Sequence, residues 1–141
     1  TIELVKHARE IGADGAGVVT PVFFGLNDRE MEEYYAAVAG AVPDFPIYLY
    51  NIPQCAANDL KAEVAQRVAR RCPNVVGIKY SFADIARTVD YININDGRFS
   101  VLHGHDRAMV AMLALGCKGT ASPASSPNPL WPPTRRIWKA I

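Results

Sequence analysis

"NVVGIKYSFAD", residues 74–84, places an amine at the end of a run that otherwise reads as a buried strand. Val75, Val76 and Ile78 have strand character, and Gly77 lets something approach the backbone closely. From Phe82 the apolar spacing turns helical, so Lys79 stands where a strand gives way to the loop before a helix. An isolated ammonium is costly to desolvate. Lys79 is therefore either a lysine reaching out to water or an amine held out of water for its chemistry.

The alternation of strand and helix extends outward from this stretch in both directions. Upstream, "TIELVKHAREIG" (1–12) has apolar residues at helical spacing and Gly12 as its stop. "AGVVTPVFF" (16–24) is a short β-branched run closed by Thr20-Pro21. "NDREMEEYYAAVAGAV" (27–42) is a helix capped by Asn27 or Asp28, with acids in its first turn. "FPIYLYNIP" (45–53) is a strand and "LKAEVAQRVARRC" (60–72) a helix. Downstream, "FADIARTVDYIN" (82–93) is a helix, "FSVLHGHD" (99–106) a strand, "RAMVAMLALGC" (107–117) a helix and "KGTASPAS" (118–125) a last short strand. "SPASSPNPLWPPTRR" (122–136) reads as a loop before a closing helix, "TRRIWKAI" (134–141).

Strands that alternate with helices pair in parallel through right-handed crossovers. Thr20, Tyr50 and Lys79 fall about thirty residues apart, the size of one βα unit. The carboxyl ends of such strands form the functional face. Thr20, Tyr50-Asn51, Lys79-Tyr80, His103-Gly104-His105 and Ser122 belong to it. Two architectures fit. A doubly wound five-strand sheet is complete at this length, whereas a (β/α)8 barrel needs about 250 residues. Local pattern alone favours the complete sheet, because a chain is expected to close its own core.

The totals exclude several function classes. The 141 residues are about half hydrophobic, with 15 basic and 14 acidic side chains and a net charge of +1. That balance gives no electrostatic case for nucleic acid or an acidic membrane as partner. No apolar run reaches spanning length, and no signal-peptide pattern opens the sequence. Cys55, Cys72 and Cys117 are an odd number at unpatterned spacing. They fit free thiols in a reducing cytoplasm.

Other motifs compete with Lys79. "GADGAG" (12–17) precedes a strand, whereas a phosphate loop opens a helix, so a helix stop and a turn account for it better. "HGHD" (103–106) resembles the His-x-His pair of metal-dependent hydrolase barrels. His7, the third histidine, lies in the first helix, and no downstream acid follows a strand. The plainer reading has Gly104 bending the strand end and Asp106 capping a helix over 107–116. Cys55 as a nucleophile needs a base that the sequence does not place. No aspartate at a strand end is set to accept a phosphoryl group.

Tyr50 ends the strand before that of Lys79, and no acid flanks the lysine in sequence. Apolar neighbours can then favour the neutral amine. A neutral amine attacks a carbonyl to form a Schiff base, whose protonated imine is an electron sink for making or breaking a C–C bond. Tyr50 can move the protons that formation and hydrolysis of the imine require.

"YNIP" (50–53) followed by "VVGIKYS" (75–81) resembles the dihydrodipicolinate synthase/N-acetylneuraminate lyase family of class I, pyruvate-handling aldolases. "GADGAGVVTP" and "LHGHDRAMVAMLALGCKGTAS" match the same family in order and spacing. The resemblance reverses the architectural choice. It implies a (β/α)8 barrel of which residues 1–141 cover about the last five strands, from the third helix through the eighth strand and the start of the last helices. Such a chain is expected to be part of a protein near twice its length, and to lack cooperative unfolding and turnover alone.

The resemblance also implies roles. Lys79 matches the Schiff-base lysine and Tyr50 the catalytic tyrosine. Thr20, Cys55, Gly104 and Ser122 line the substrate. Cys55 stands where the synthases carry an arginine for a substrate carboxylate, within "YNIPQCAA". Val22-Phe23-Phe24 stands where they carry a relay tyrosine after "TP", and phenylalanine relays no proton. The expected activity is thus that of a lyase joining or cleaving pyruvate and an aldehyde, with a sugar-derived 2-keto-3-deoxy acid favoured. The 4-hydroxy-tetrahydrodipicolinate synthase reaction of lysine biosynthesis is the alternative within the family. A metal-dependent hydrolase using His103 and His105 and a non-catalytic ligand-binding barrel are the alternatives outside it. No metal or organic cofactor is expected, and the intact protein is expected to be a cytoplasmic dimer or tetramer.

Overall fold

A computed structural model of the chain describes residues 1–122. The expected loop beyond Ser122 and the closing helix over 134–141 lie outside the described residues. Helix α1 (Ile2–Glu10) leads into β1 (Ala16–Val19), α2 (Asp28–Gly40), β2 (Ile47–Asn51), α3 (Ala62–Arg71) and β3 (Val75–Tyr80). Helix α4 (Ile85–Ile92), β4 (Ser100–His103), α5 (Met109–Leu115) and β5 (Gly119–Thr120) follow.

All neighbouring strands are parallel, and their order in the sheet is β1-β2-β3-β4-β5. A doubly wound sheet reverses its strand order at a switch point, and none occurs among the described residues. Sequential order with right-handed crossovers sends every helix to the same face. That is the wall of a (β/α)8 barrel, so the complete doubly wound sheet that local pattern favours is not what forms.

Val18, Leu49, Ile78 and Val101 are in register across the first four strands, and each is almost wholly buried. Helix α3 answers them with Val64, Ala65, Val68 and Ala69, a spacing that keeps one helical face apolar. Its outer face carries Arg67 and Arg71, which pair with Glu32 and Glu33 of α2. These exposed pairs orient the helices more than they stabilise them. Asn27 caps α2 through a reciprocal pair with Glu30: its side chain accepts from the Glu30 amide, and the Glu30 carboxylate accepts from the Asn27 amide. Such a cap contributes about 1 kcal/mol. At the amino ends of the strands, the Asn74 side-chain amide donates toward the carbonyls of Ala39, Val42 and Phe45 at 3.1, 2.9 and 3.2 Å. It closes the turn from α2 into β2.

Two expectations need correction. Asp106 does not cap the fifth helix: it opens a 3-10 turn over Asp106–Ala108, and Ala108 holds the N-cap position of α5 without a side-chain bond. The Asp106 carboxylate instead accepts from the Ser122 hydroxyl, so it is engaged across two loops. The β-branched run after Ala16 is also shorter than its composition suggests. Strand β1 stops at Val19, and Val22, Phe23 and Phe24 lie exposed in the following loop. Pro21 has no amide to continue the ladder.

Candidate active site

Side chains alternate across a strand, so the residues between those of the buried row point to the other face. Val19, Tyr50, Lys79, Leu102 and Gly119 are in register there, one from each strand. Tyr50 and Lys79 are direct neighbours in this row, both half-buried. The Lys79 Nζ sits 4.1 Å from the centroid of the Tyr50 ring. At that distance a charged amine is stabilised by the ring face. The lysine is thus directed along the sheet instead of into open water.

One layer below, Gly17, Tyr48, Gly77 and Ser100 occupy the same face. Tyr48 is flanked by glycine on both neighbouring strands, and its ring lies over Gly77. A Cβ at Gly77 would lie 2.5 Å from the Tyr48 Cε1 and 2.9 Å from the Ser100 Cβ. The close approach anticipated at Gly77 is therefore by Tyr48, which forms a floor beneath Lys79.

The strand ends are held together one residue beyond the strands themselves. The amide of Thr20 donates to the Tyr50 carbonyl (3.1 Å), that of Ser81 to Asn51 (3.0 Å) and that of Gly104 to Tyr80 (2.8 Å). Gly104 also lies against Ser81, where a Cβ would come 2.8 Å from the serine Cβ. The Gln54 side chain donates to the Ser81 carbonyl at 2.7 Å, tying the loop after β2 to the end of the lysine strand. Cys55 follows it, exposed, at the turn closed by its own amide onto Ile52. Thr20 is wholly buried on the parity of Ala16 and Val18, and its hydroxyl finds no partner among the described residues. Gly104 and Ser122 both lie at strand ends, Ser122 bonded to Asp106.

Behind Tyr50, a polar cluster is buried on the helix side. The Asn51 side chain donates to Asp59 at 2.8 Å and to the Tyr91 phenol at 3.1 Å, while accepting from the Leu60 amide at 3.2 Å. The Tyr91 phenol donates to the Leu60 carbonyl, and Arg87 reaches both that carbonyl and Asp59. Burial raises the Tyr91 phenol far above its usual range. Burial, then the charges of Asp84 and Asp59, push Tyr80 up to about 12. Both phenols stay protonated near neutrality, and that of Tyr91 serves as a structural donor.

His103 shares that covered side. It is wholly buried beside Tyr80, with ring centroids 6.3 Å apart, and its Nδ1 accepts from the His105 amide at 3.1 Å. Burial, and then the charge of His105, lower its basicity. With Nδ1 occupied and the ring turned away from the face of Lys79, His103 and His105 do not converge on one point in the barrel interior. Among the described residues no three His, Cys, Asp or Glu side chains are grouped to hold a metal ion. All three cysteines are free, and burial pushes the thiols of Cys72 and Cys117 up. No described helix is long and apolar enough to cross a membrane.

Sequence reasoning brought Lys79 and Tyr50 to the same ring of strand ends, and they lie in contact. It missed Gln54, Asn51 as the centre of the buried cluster, and Asn58. Each is an amide side chain whose partners lie on other elements, so no local spacing marks them. The adjacent Asn58 and Asp59 in the loop over 52–60 are the one available hint.

Comparison with known proteins places this geometry. A model of the dihydrodipicolinate synthetase family matches residues 1–131. The 4-hydroxy-tetrahydrodipicolinate synthase of Thermus thermophilus is 38% identical over 121 residues, 85% of this chain and 40% of the relative. The chloride-inhibited dihydrodipicolinate synthase of Acinetobacter baumannii, complexed with pyruvate, is 35% identical with a TM-score of 0.82, over 88% of this chain and 42% of its own. The 2-keto 3-deoxygluconate aldolase from Picrophilus torridus is 29% identical with a TM-score of 0.79, over 85% of this chain and 43% of its own. The chain spans about two-fifths of the length of the curated relatives that it matches. A parallel sheet in barrel order, with a lysine and a tyrosine paired on its inner face, thus belongs to the dihydrodipicolinate synthetase family.

Proposed function

We propose that this chain carries the imine-forming part of a class I aldolase or lyase, and that Lys79 is its nucleophile. The supporting observation is the Tyr50–Lys79 pair, adjacent in register and 4.1 Å from amine to ring centroid. In this reading the neutral Lys79 Nζ attacks the carbonyl carbon of pyruvate, and loss of water gives a protonated imine. In synthesis, a proton leaves the methyl carbon, and the resulting enamine attacks an aldehyde carbonyl. In cleavage, the electron pair of the breaking C–C bond flows into the imine. Water then releases the 2-keto acid. Tyr50 gives and takes the protons of the carbinolamine steps. Leu102 and the Tyr48 ring exclude water from one side of the amine. Cys55, Gly104 and Ser122 line the mouth around the substrate, whereas Thr20, expected there from the sequence, is buried on the helix side and does not reach it. No step calls on a metal or an organic cofactor. In the barrel, α1 is the third helix and β1 to β5 are the fourth to eighth strands.

The acceptor is read as a hydroxylated or neutral aldehyde, giving a 2-keto-3-deoxy acid. Cys55 supplies a thiol where a carboxylate-binding guanidinium is needed for aspartate semialdehyde, and the Picrophilus aldolase shows that sugar acids fall within the same fold. The Thermus name favours 4-hydroxy-tetrahydrodipicolinate synthesis as the second reading. Exposed Phe23 and Phe24 support a homo-oligomer, and three free thiols support a reducing cytoplasm. The test is catalytic efficiency of the intact protein with pyruvate and each aldehyde, side by side. The reading expects glyceraldehyde-type acceptors to exceed aspartate semialdehyde, and Cys55→Arg to narrow the gap. The reverse ranking points to synthase activity. A chelator is expected to leave turnover unchanged, and loss of turnover would revive the His103 and His105 hydrolase.

A further inference from the structure

The loop over 52–60 has neither helix nor strand, yet it is held at several points on both flanks of Cys55. On one flank Gln54 is bonded to the Ser81 carbonyl. On the other, the Ala57 amide donates to the Val22 carbonyl at 3.1 Å. Asn58 then reaches into the loop that follows β1. Its side-chain amide donates to the carbonyls of Pro21 and Phe24 at 2.5 and 2.7 Å, and its Oδ1 accepts from the Leu26 amide at 2.7 Å. Asn58 is 6% exposed, and both donors and its acceptor are used. Three backbone groups of residues 21–26 are otherwise without a helix or strand to bond them, so this one side chain supplies their partners.

The consequence concerns the shape of the site mouth. Phe23 and Phe24 lie 82% and 71% exposed between the carbonyls that Asn58 holds, with their rings edge to face at 4.9 Å. Cys55 lies three residues before Asn58 on the opposing loop. We propose that Asn58 is a positioning residue for the aldehyde: it locks the Cys55 loop and the Phe23–Phe24 loop into one wall, and so sets which acceptor the site takes. Lys79 and Tyr50 stand on the sheet, bonded through the strand ladder, and do not depend on this lock. The inference rests on the reading of Lys79 as the pyruvate-binding amine, with the acceptor entering over the loops.

Asn58→Ala in the intact protein separates the two. The proposal expects the KM for the acceptor aldehyde to rise about 10- to 100-fold, as small misplacements of a positioning group do. It expects the KM for pyruvate to stay within about twofold, because that substrate is held at the sheet. Hydrogen exchange at the Leu26 amide is expected to accelerate in the variant from a protected wild-type rate. Equal rises in both KM values, or no change in either, would overturn the proposal, as would an unprotected Leu26 amide in the wild type. If the alanine variant does not fold, Asn58→Asp, which keeps the acceptor for Leu26 but loses both donors, is judged by the same split. Failure of the underlying reading is seen separately, as a wild-type protein that borohydride does not label with pyruvate at Lys79.

Discussion

The two faces of the five-stranded sheet are built by one alternation along the same strands, and they meet opposite surroundings. On the helix side, Val18, Leu49, Ile78 and Val101 are packed beneath α1 to α4 and exclude water almost entirely. On the other side, Tyr48, Tyr50, Lys79 and Ser100 are half-open, with the Lys79 amine over the Tyr50 ring. Stability therefore resides on the covered face, and the proposed chemistry on the open one. The two are coupled only through the backbone ladder between them. Substitutions on either face should consequently separate function from folding.

The sharpest break is at the lysine. Lys79→Arg keeps the charge but offers no amine to a carbonyl, so turnover of the intact protein falls by roughly 10⁴-fold or more. Its unfolding midpoint stays close to that of the wild type. A variant retaining activity would remove the lysine from the chemistry. Leu49→Ala sits one residue before Tyr50 but on the covered face. It is expected to cost about 2–5 kcal/mol in denaturant unfolding while leaving pyruvate binding by the folded fraction unchanged. Gly77→Ala acts on the open face, one layer below Lys79. Its methyl group collides with the Ser100 backbone and displaces the Tyr48 ring, which costs about 1–3 kcal/mol and loosens the floor under Lys79. Unaltered stability there would mean that Tyr48 moves aside freely.

The smallest effect is a pH dependence of the covered face. His103 has its basicity lowered in the folded chain by burial and then by His105. Above its ordinary value of about 6.5 the ring is neutral in folded and unfolded chains alike. Below that, the unfolded chain takes the proton first, so stability declines as pH falls through the mildly acidic range. His103→Gln is expected to flatten this part of the stability curve. An unchanged slope would assign it to other groups.

The covered face was largely legible in the sequence, because burial selects apolar residues at period two in strands and at helical spacing in helices. That is why every strand and α-helix among the described residues was anticipated, with several ends drawn too long and the two short 3-10 turns, Ile94–Gly97 and Asp106–Ala108, missed. The open face was legible only where chemistry is unusual. Lys79 is conspicuous in a β-branched run, and Tyr50 is conspicuous only beside it. Asn51, Gln54 and Asn58 gave no such signal. The Gln54 and Asn58 side chains donate to backbone carbonyls 27 to 37 residues away, of Ser81, Phe24 and Pro21, and no local pattern encodes a partner at that range. The parity of Thr20 was likewise invisible until the register of β1 against β2 fixed it on the covered side. Strand order decided the architecture, and order is a property of pairing that length and composition left open.

The central claim is that the open face holds a lysine amine which forms an imine with pyruvate. Borohydride reduction of the intact protein in the presence of pyruvate, followed by peptide mass mapping, tests it directly. The account predicts one pyruvate-derived mass increment per chain on the peptide containing Lys79, lost in Lys79→Arg. Labelling at Lys6, Lys61 or Lys118 in its place, or no pyruvate-dependent labelling at all, would contradict it.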